Sequence, residues 1–279
     1  MSYDIVIRNG LLVNPSGSYI ADVAIKGTQI ACIGTNLHGK QEIDALGKFV
    51  TPGAIDGHVH MRTEREAFCY DDTFASGSVA AAFGGTTTII DQVQAEHGSS
   101  LSSELDTRMK LAEGQSCVDF GFHMNIREPI TERLAEIPAI MARGITSFKW
   151  FMAIPGWGVS DDFLQRGMFD VAAVGGLSIV HAENQGVILE MRRRAAAAGR
   201  RNIVDFTRNY PAISEAAAIA LAMSMTEIAD GRTLIFHNTC AEGVAAIQAA
   251  KLRGVQAYGE AGLAWLTHTD AVYAGDQVA

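Results

Sequence analysis

Between Pro52 and Gly259 the chain alternates short β-branched, apolar runs with helical stretches, and most runs stop at a polar residue. That rhythm constrains the fold more than any other feature. Parallel strands need long crossovers, and helices supply them. Strands are expected over 53–60, 86–91, 117–123, 146–152, 177–181, 233–237 and 254–258. Helices are expected over 73–83, 101–113, 129–143, 160–174, 185–198, 213–229 and 241–252, with glycines at 84–85, 144 and 175–176 as stops. Thr239 and Glu242 read as a capping box for the last of these. Seven such steps predict an α/β fold: a (β/α)8 TIM-type barrel, incomplete, with strands 1–7 in this sequence. A doubly wound open sheet is the competitor, but no glycine-rich phosphate loop follows the first strand.

The first fifty residues have another character. Asp4–Ile7 and Leu11–Val13 flank Asn9-Gly10, a type I′ hairpin signal, and Lys26-Gly27-Thr28 separates a second pair of runs. Ile43 and Phe49-Val50 suggest further short strands. The expected division is an antiparallel sheet module over 1–50 and a barrel over 51–279. The module is too small to bury much core alone.

Composition narrows the function. With 279 residues, 48% of them apolar, the chain can bury a large core. A formal net charge of -9 argues against a nucleic-acid partner. The arginines at 192–194 and 200–201 read as a helix surface. Cys32, Cys69, Cys117 and Cys240 form no CxxC and read as reduced thiols. No signal peptide and no bilayer-length apolar run is visible. The expectation is a cytoplasmic protein with no membrane partner.

The polar strand ends carry the chemistry. His58 and His60 lie two apart, so in a strand their imidazoles leave one face together: either the first half of a zinc site or a chance pair of histidines in a turn. Asp91 closes the second strand, His123 the third, His181 the fifth and His237 the sixth, and Lys149 sits inside the fourth. In a barrel these ends meet on one face. Lys149 is flanked by Phe148, Trp150 and Phe151, where a buried ammonium is costly. Either it reaches solvent or a carboxylate, or burial and nearby cations neutralise it and it condenses with carbon dioxide to a carbamate. His123 either lines the pocket or is structural. Asp91 either orients a ligand or ties down a loop.

In several segments the chain resembles the dihydropyrimidinase/hydantoinase branch of the amidohydrolase superfamily. These are Pro52–His60, Gly84–Asp91, Phe148–Met152, Val180–Asn184, the His237 strand end and Tyr258–Glu260. Asp4–Gly34 is similar to the N-terminal β-sandwich portion of that family. The resemblance implies two divalent ions, Zn2+ above all, holding a bridging hydroxide. It assigns His58 and His60 to the more buried ion, and His181 and His237 to the more exposed one. Lys149, as N6-carboxylysine, would bridge the two. Asn184 joins Asp91 and His123 as a pocket or supporting residue. The implied substrate is a small cyclic amide or ureide whose C–N bond is hydrolysed, and the implied assembly is a homodimer or homotetramer.

The family's proton-shuttling aspartate belongs to an eighth strand, and no position here matches it; Asp270 and Asp276 lie outside that context. Ile154 stands where the family has a substrate-clamping tyrosine, and 261–266 depart from its usual run. Three expectations follow from these departures. One is a related amidohydrolase acting on allantoin, a lactone or an amine. Another is a non-catalytic assembly or regulatory relative. The third is a natural protein longer than this sequence, which an intact-mass measurement tests.

Overall fold

The structure, a computed structural model, describes residues 2–62, 71–95 and 97–274; Cys69 and Asp276 lie outside them. The chain forms two compact units, Met1–Asp56 with Ala81–Thr88, and Gly57–Ala80 with Ile89–Ala279.

In the first unit, β1 (Tyr3–Asn14), β2 (Gly17–Lys26), β3 (Gln29–Gly34) and β4 (Gly39–Asp44) form a sheet in the order β3-β2-β1-β4, and β5 (Phe49–Val50) also pairs with β1. The hairpin turn expected at Asn9-Gly10 is instead a bulge inside β1, where the register against β2 shifts between Ile7 and Gly10. Asn9 takes the left-handed φ of 62° that the turn signal implies. However, its N–H donates to Asp22 Oδ1 at 2.9 Å and its Nδ2 to Asp44 Oδ1 at 3.0 Å, so neighbouring strands capture it and the strand continues. A Cβ on Gly10 would lie 2.4 Å from Val50 Cγ2. Gly27, with φ of 61°, makes the second reversal as expected. β4 and β5 run parallel to β1, so the sheet is mixed rather than antiparallel. β3 runs forward again and ends at Gly34 opposite Asp22, and residues 35–38 return the chain to the start of β1, where β4 enters in parallel with Gly39 opposite Tyr3. Leu12, Ala21 and Val23 form its buried centre, flanked by Ile7, Ile25 and Val50.

The second sheet has seven strands in chain order: β6 (Ala54–Val59), β7 (Thr86–Gln94), β8 (Asp119–Asn125), β9 (Ser147–Phe151), β10 (Leu177–His181), β11 (Arg232–Ile235) and β12 (Gln256–Gly259). Pairing is parallel from β8 to β12. The path is open, with β6 and β12 as edges, yet it curls. His123 on β8 reaches past β7 to the Gly57 carbonyl at 2.9 Å, and His58 on β6 meets Glu260, just after β12, at 2.8 Å. This is the incomplete α/β barrel that the strand–helix rhythm predicts.

The connecting helices are α1 (Phe74–Phe83), α2 (Leu101–Ala112), α3 (Thr131–Ala135), α4 (Ile137–Ala142), α5 (Asp161–Ala173), α6 (Gln185–Ala197), α7 (Phe206–Asn209), α8 (Ala212–Ile228), α9 (Ala241–Leu252) and α10 (Leu263–Thr267). The single helix expected over 129–143 is two. Pro138 sits in the first turn of α4 and has no N–H to continue a ladder from α3. Residues 203–209, between the helices expected over 185–198 and 213–229, hold a 3-10 turn and α7. The expected capping box is replaced. Cys240 caps α9 by accepting from Gly243 N–H, while the Thr239 hydroxyl goes to Glu215. Arg193 and Arg194 pair with Glu190 along α6, an exposed helix surface. No helix among the described residues is long and apolar enough to cross a membrane, and Cys32, Cys117 and Cys240 are free thiols.

Strand β9 fixes what faces inward. All five of its residues are buried. Trp150 packs outward against Phe163 of α5, where Gly167 leaves room: a Cβ there would lie 2.2 Å from the indole. Alternation then turns Ser147, Lys149 and Phe151 into the curl. In register, Lys149 pairs with Asn125 and Ile179, and Phe151 with His181.

Candidate metal centre

His58 leaves β6 near its end, and His60 follows two residues on, past the strand. Strand parity puts them together: their Nε2 atoms are 3.3 Å apart and the ring centroids 5.3 Å apart. The Glu260 carboxylate can only accept, so His58 donates through Nδ1–H at 2.8 Å, which leaves Nε2 facing His60. The His58 ring stacks on Phe236 at 3.9 Å.

A second pair forms from β10 and the segment after β11. His181 Nε2–H donates to Glu183 at 2.7 Å, and His181 Nδ1 then accepts from His237 Nε2–H at 2.8 Å. Because β11 ends at Ile235, His237 lies outside the strand expected to carry it. It takes a left-handed φ of 41°. Burial, then the neighbouring His181, Lys149 and His58, push its pKa down to about 2, so it is a neutral imidazole. The two pairs adjoin, with the His58 and His237 centroids 5.7 Å apart.

Lys149 lies beside both. It is 2% exposed, with Nζ 3.8 Å from the Phe236 ring centroid and 5.3 Å from that of Phe151. Among the described residues Nζ has no hydrogen-bond acceptor or paired carboxylate. Burial drives its pKa well below the ordinary lysine value, and Glu260 pulls weakly the other way. Burial thus favours the neutral form of the amine, the form that can act as a nucleophile.

The remaining expected residues lie around this cluster. His123 is held by two partners: Nε2–H donates to the Gly57 carbonyl at 2.9 Å and Nδ1 accepts from Ser147 Oγ at 2.6 Å. Burial pushes its pKa down to about 4. Asp91, fully buried, accepts Met61 N–H at 3.0 Å and Arg108 Nε–H at 2.6 Å, while Arg108 also donates to the Met61 carbonyl. It therefore ties down the segment immediately after His60. β7 does not stop at Asp91 but continues to Gln94. Asn184 caps α6, its Oδ1 accepting Val187 N–H at 3.0 Å.

The residues missed are the carboxylates that orient the imidazoles. Glu183 and Glu260 lie within segments recognised for their histidine or strand end, and a carboxylate two residues beyond a strand-end histidine is a signal available in sequence. Phe236, in contact with both His58 and Lys149, has no comparable signal.

Does the donor set fit divalent cations? Two nitrogens each about 2.0–2.1 Å from one tetrahedral Zn2+ stand about 3.3 Å apart. The 3.3 Å between His58 and His60 meets this, whereas the 2.8 Å between His181 and His237 is short by about half an ångström. Among the described residues no group of three or more His, Cys, Asp or Glu side chains is arranged to hold an ion. Each pair supplies two nitrogens, and an unmodified Lys149 supplies no anionic oxygen. Carboxylation of Lys149 would add anionic oxygen donors of the kind that zinc takes together with imidazole.

A cavity of about 910 Å³ opens onto His181 and His237. Its walls include Ile154, Leu189, Phe206, Tyr210 and Trp265. Ile154 holds φ at 81°, a costly conformation for a β-branched residue.

Residues 49–276 match the model of the amidohydrolase family. The chain is 38% identical over 259 residues to a D-hydantoinase of Ralstonia pickettii, covering 92% of this chain and 57% of that protein. It is 34% identical over 280 residues to an allantoinase of Rubrobacter xylanophilus, covering 96% and 60%. A solved D-hydantoinase structure superposes with a TM-score of 0.94 at 36% identity, covering 98% of this chain and 60% of that one. The chain thus spans somewhat more than half the length of these relatives.

Proposed function

Since this chain belongs to the amidohydrolase family, on the branch of the D-hydantoinases and dihydropyrimidinases, we propose that it performs metal-dependent hydrolysis of a C–N bond in a small cyclic amide or ureide. The observation that carries this is the convergence of His58, His60, Lys149, His181 and His237, from four strands and the segments just after them, on the inside of the curled sheet. His58 and His60 would hold one divalent ion, and His181 and His237 a second, both probed with Zn2+. Bound there, such ions polarise a carbonyl and lower the pKa of water.

The chain's own residues prepare that site. Glu260 and Glu183 each take the N–H of one imidazole and fix the tautomer that turns a lone pair inward. Lys149 Nζ, in its neutral form, would add to carbon dioxide, forming an N–C bond and releasing a proton to water, and the carbamate would supply two anionic oxygen donors for the ions. Ile154, Leu189, Phe206 and Trp265 would give the ring an apolar surface on the cavity wall. A cytoplasmic homodimer or homotetramer is the proposed working form, for which light scattering should give two or four chain masses and a monomer would contradict it.

Ring-opening assays on hydantoins, dihydropyrimidines and allantoin, run with metal analysis, test the proposal. Two ions per chain, turnover of a cyclic amide or ureide, and a carbamate signal from isotopically labelled bicarbonate are expected. Hydrolysis confined to lactones, or protein that binds no divalent ion, would overturn it. Allantoin is the favoured alternative substrate, given the 34% identity to an allantoinase and an apolar Ile154 on the cavity wall.

A further inference from the structure

The His237 turn is held from two sides by carboxylates, and one of them has no part in the chemistry above. Every backbone N–H from Phe236 to Thr239 is taken. Phe236 donates to the Val180 carbonyl at 3.1 Å, and Asn238 to the Glu260 carbonyl at 2.7 Å. His237 donates to Glu260 Oε1 at 3.3 Å, and Thr239 to Glu215 Oε1 at 2.8 Å. Glu215, in the first turn of α8, also accepts from Asn238 Nδ2 at 2.6 Å and from the Thr239 hydroxyl. Asn238 is 6% exposed, so its amide has no ready exchange with water. A Cβ on Gly243 would lie 2.2 Å from Asn238 Nδ2, which leaves that side chain little alternative room. Between these anchors sits His237, a non-glycine residue at φ of 41°. Such a conformation persists only where surrounding contacts over-determine it.

We propose that Glu215 is a positioning residue: it clamps the turn after β11 in its left-handed form, and so aims the His237 imidazole at His181. It touches neither imidazole and works through Asn238 and Thr239. The clamp needs geometry rather than charge. Both the Asn238 amide and the Thr239 N–H bind Oε1, and a glutamine can keep that oxygen in place while its NH2 donates to the Thr239 hydroxyl. The consequence for metal binding rests on the proposed role of His237 as a ligand.

The test compares wild type, Glu215→Gln, Glu215→Ala and Thr239→Val by Co2+ titration, following the visible absorption of the bound ion, and by crystal structures of the metal-free proteins. Glu215→Ala should bind the weaker of two Co2+ ions about ten-fold or more weakly, with an altered spectrum. Its His181–His237 contact should open from 2.8 Å. Glu215→Gln should restore wild-type titration and spectrum. If Glu215→Ala does not fold, Thr239→Val, which removes only the hydroxyl donor, should show the same change in smaller measure. An unchanged His237 position and unchanged Co2+ spectrum in either variant would overturn the clamp. So would a Glu215→Gln as defective as Glu215→Ala. Wild type that binds no Co2+ counts against the metal centre, and the clamp is then judged on the metal-free His181–His237 distance.

Discussion

The two histidine pairs reach similar ends by different routes. His58 and His60 come from one strand end, and the period of two places them on one side. Their nitrogens stand 3.3 Å apart. His181 and His237 come from two strands, and one lies beyond its strand in a left-handed turn. Their nitrogens are at 2.8 Å, a direct hydrogen bond. The first pair is set by local geometry, whereas the second is assembled by tertiary contacts and needs carboxylates to hold it. Glu260 serves both, since its Oε1 accepts from His58 Nδ1 and from His237 N–H. Glu183 serves the second pair alone.

The largest effect should come from removing the group between the pairs. Lys149→Met should weaken binding of both ions by about 100-fold or more and abolish hydrolysis. The same change replaces a buried amine by an apolar chain of similar length. The metal-free variant should therefore gain about 1–2 kcal/mol in urea unfolding. A variant that loses stability and keeps both ions would break the account of both pairs at once.

Next come the carboxylates, which separate the pairs. Glu260→Ala should weaken both sites by about 10–100-fold, and Glu183→Ala only the second site, by about 10-fold. Isothermal titration with Zn2+ resolves the two. Equal effects of Glu183→Ala on both sites would show that the pairs are not independent.

A smaller effect concerns the frame under the first pair. His123 holds the Gly57 carbonyl and has a folded pKa of about 4 against 6.5 unfolded. Between these values the unfolded chain binds the extra proton, so stability is full above pH 6.5 and falls as pH drops towards 4. The loss from this group is about 3 kcal/mol. His123→Gln, which can keep a donor to Gly57 but does not titrate, should show a shallower decline in chemical denaturation of the metal-free protein. An unchanged pH slope would remove His123 from that role. Smallest of all, Asn184→Ala should cost about 1 kcal/mol through loss of the α6 cap and leave both ion affinities as they are.

The same contrast explains what the sequence discloses. Periodicity and strand-end polarity were enough for the seven parallel strands, because each strand's inward set follows from alternation. Lys149 faces inward for that reason, with Trp150 facing α5. Local signals failed where a distant partner outbid them. Asn9-Gly10 has turn chemistry, but Asp22 and Asp44 capture Asn9 and leave a bulge. Thr239 has capping chemistry, but Glu215 takes its hydroxyl and Cys240 caps instead. Pro138 carries a helix-break signal that the longer apolar pattern over 129–143 masks. Glu183 and Glu260 escaped because a carboxylate's role depends on which imidazole it meets in space.

Crystals grown with Zn2+ and measured at the zinc absorption edge test the central claim most directly. Two anomalous peaks are predicted, one shared by His58 and His60 and one by His181 and His237, with continuous density between them for a carboxylated Lys149. Absence of a peak at either pair, or two occupied sites beside an unmodified Lys149 amine, would contradict it.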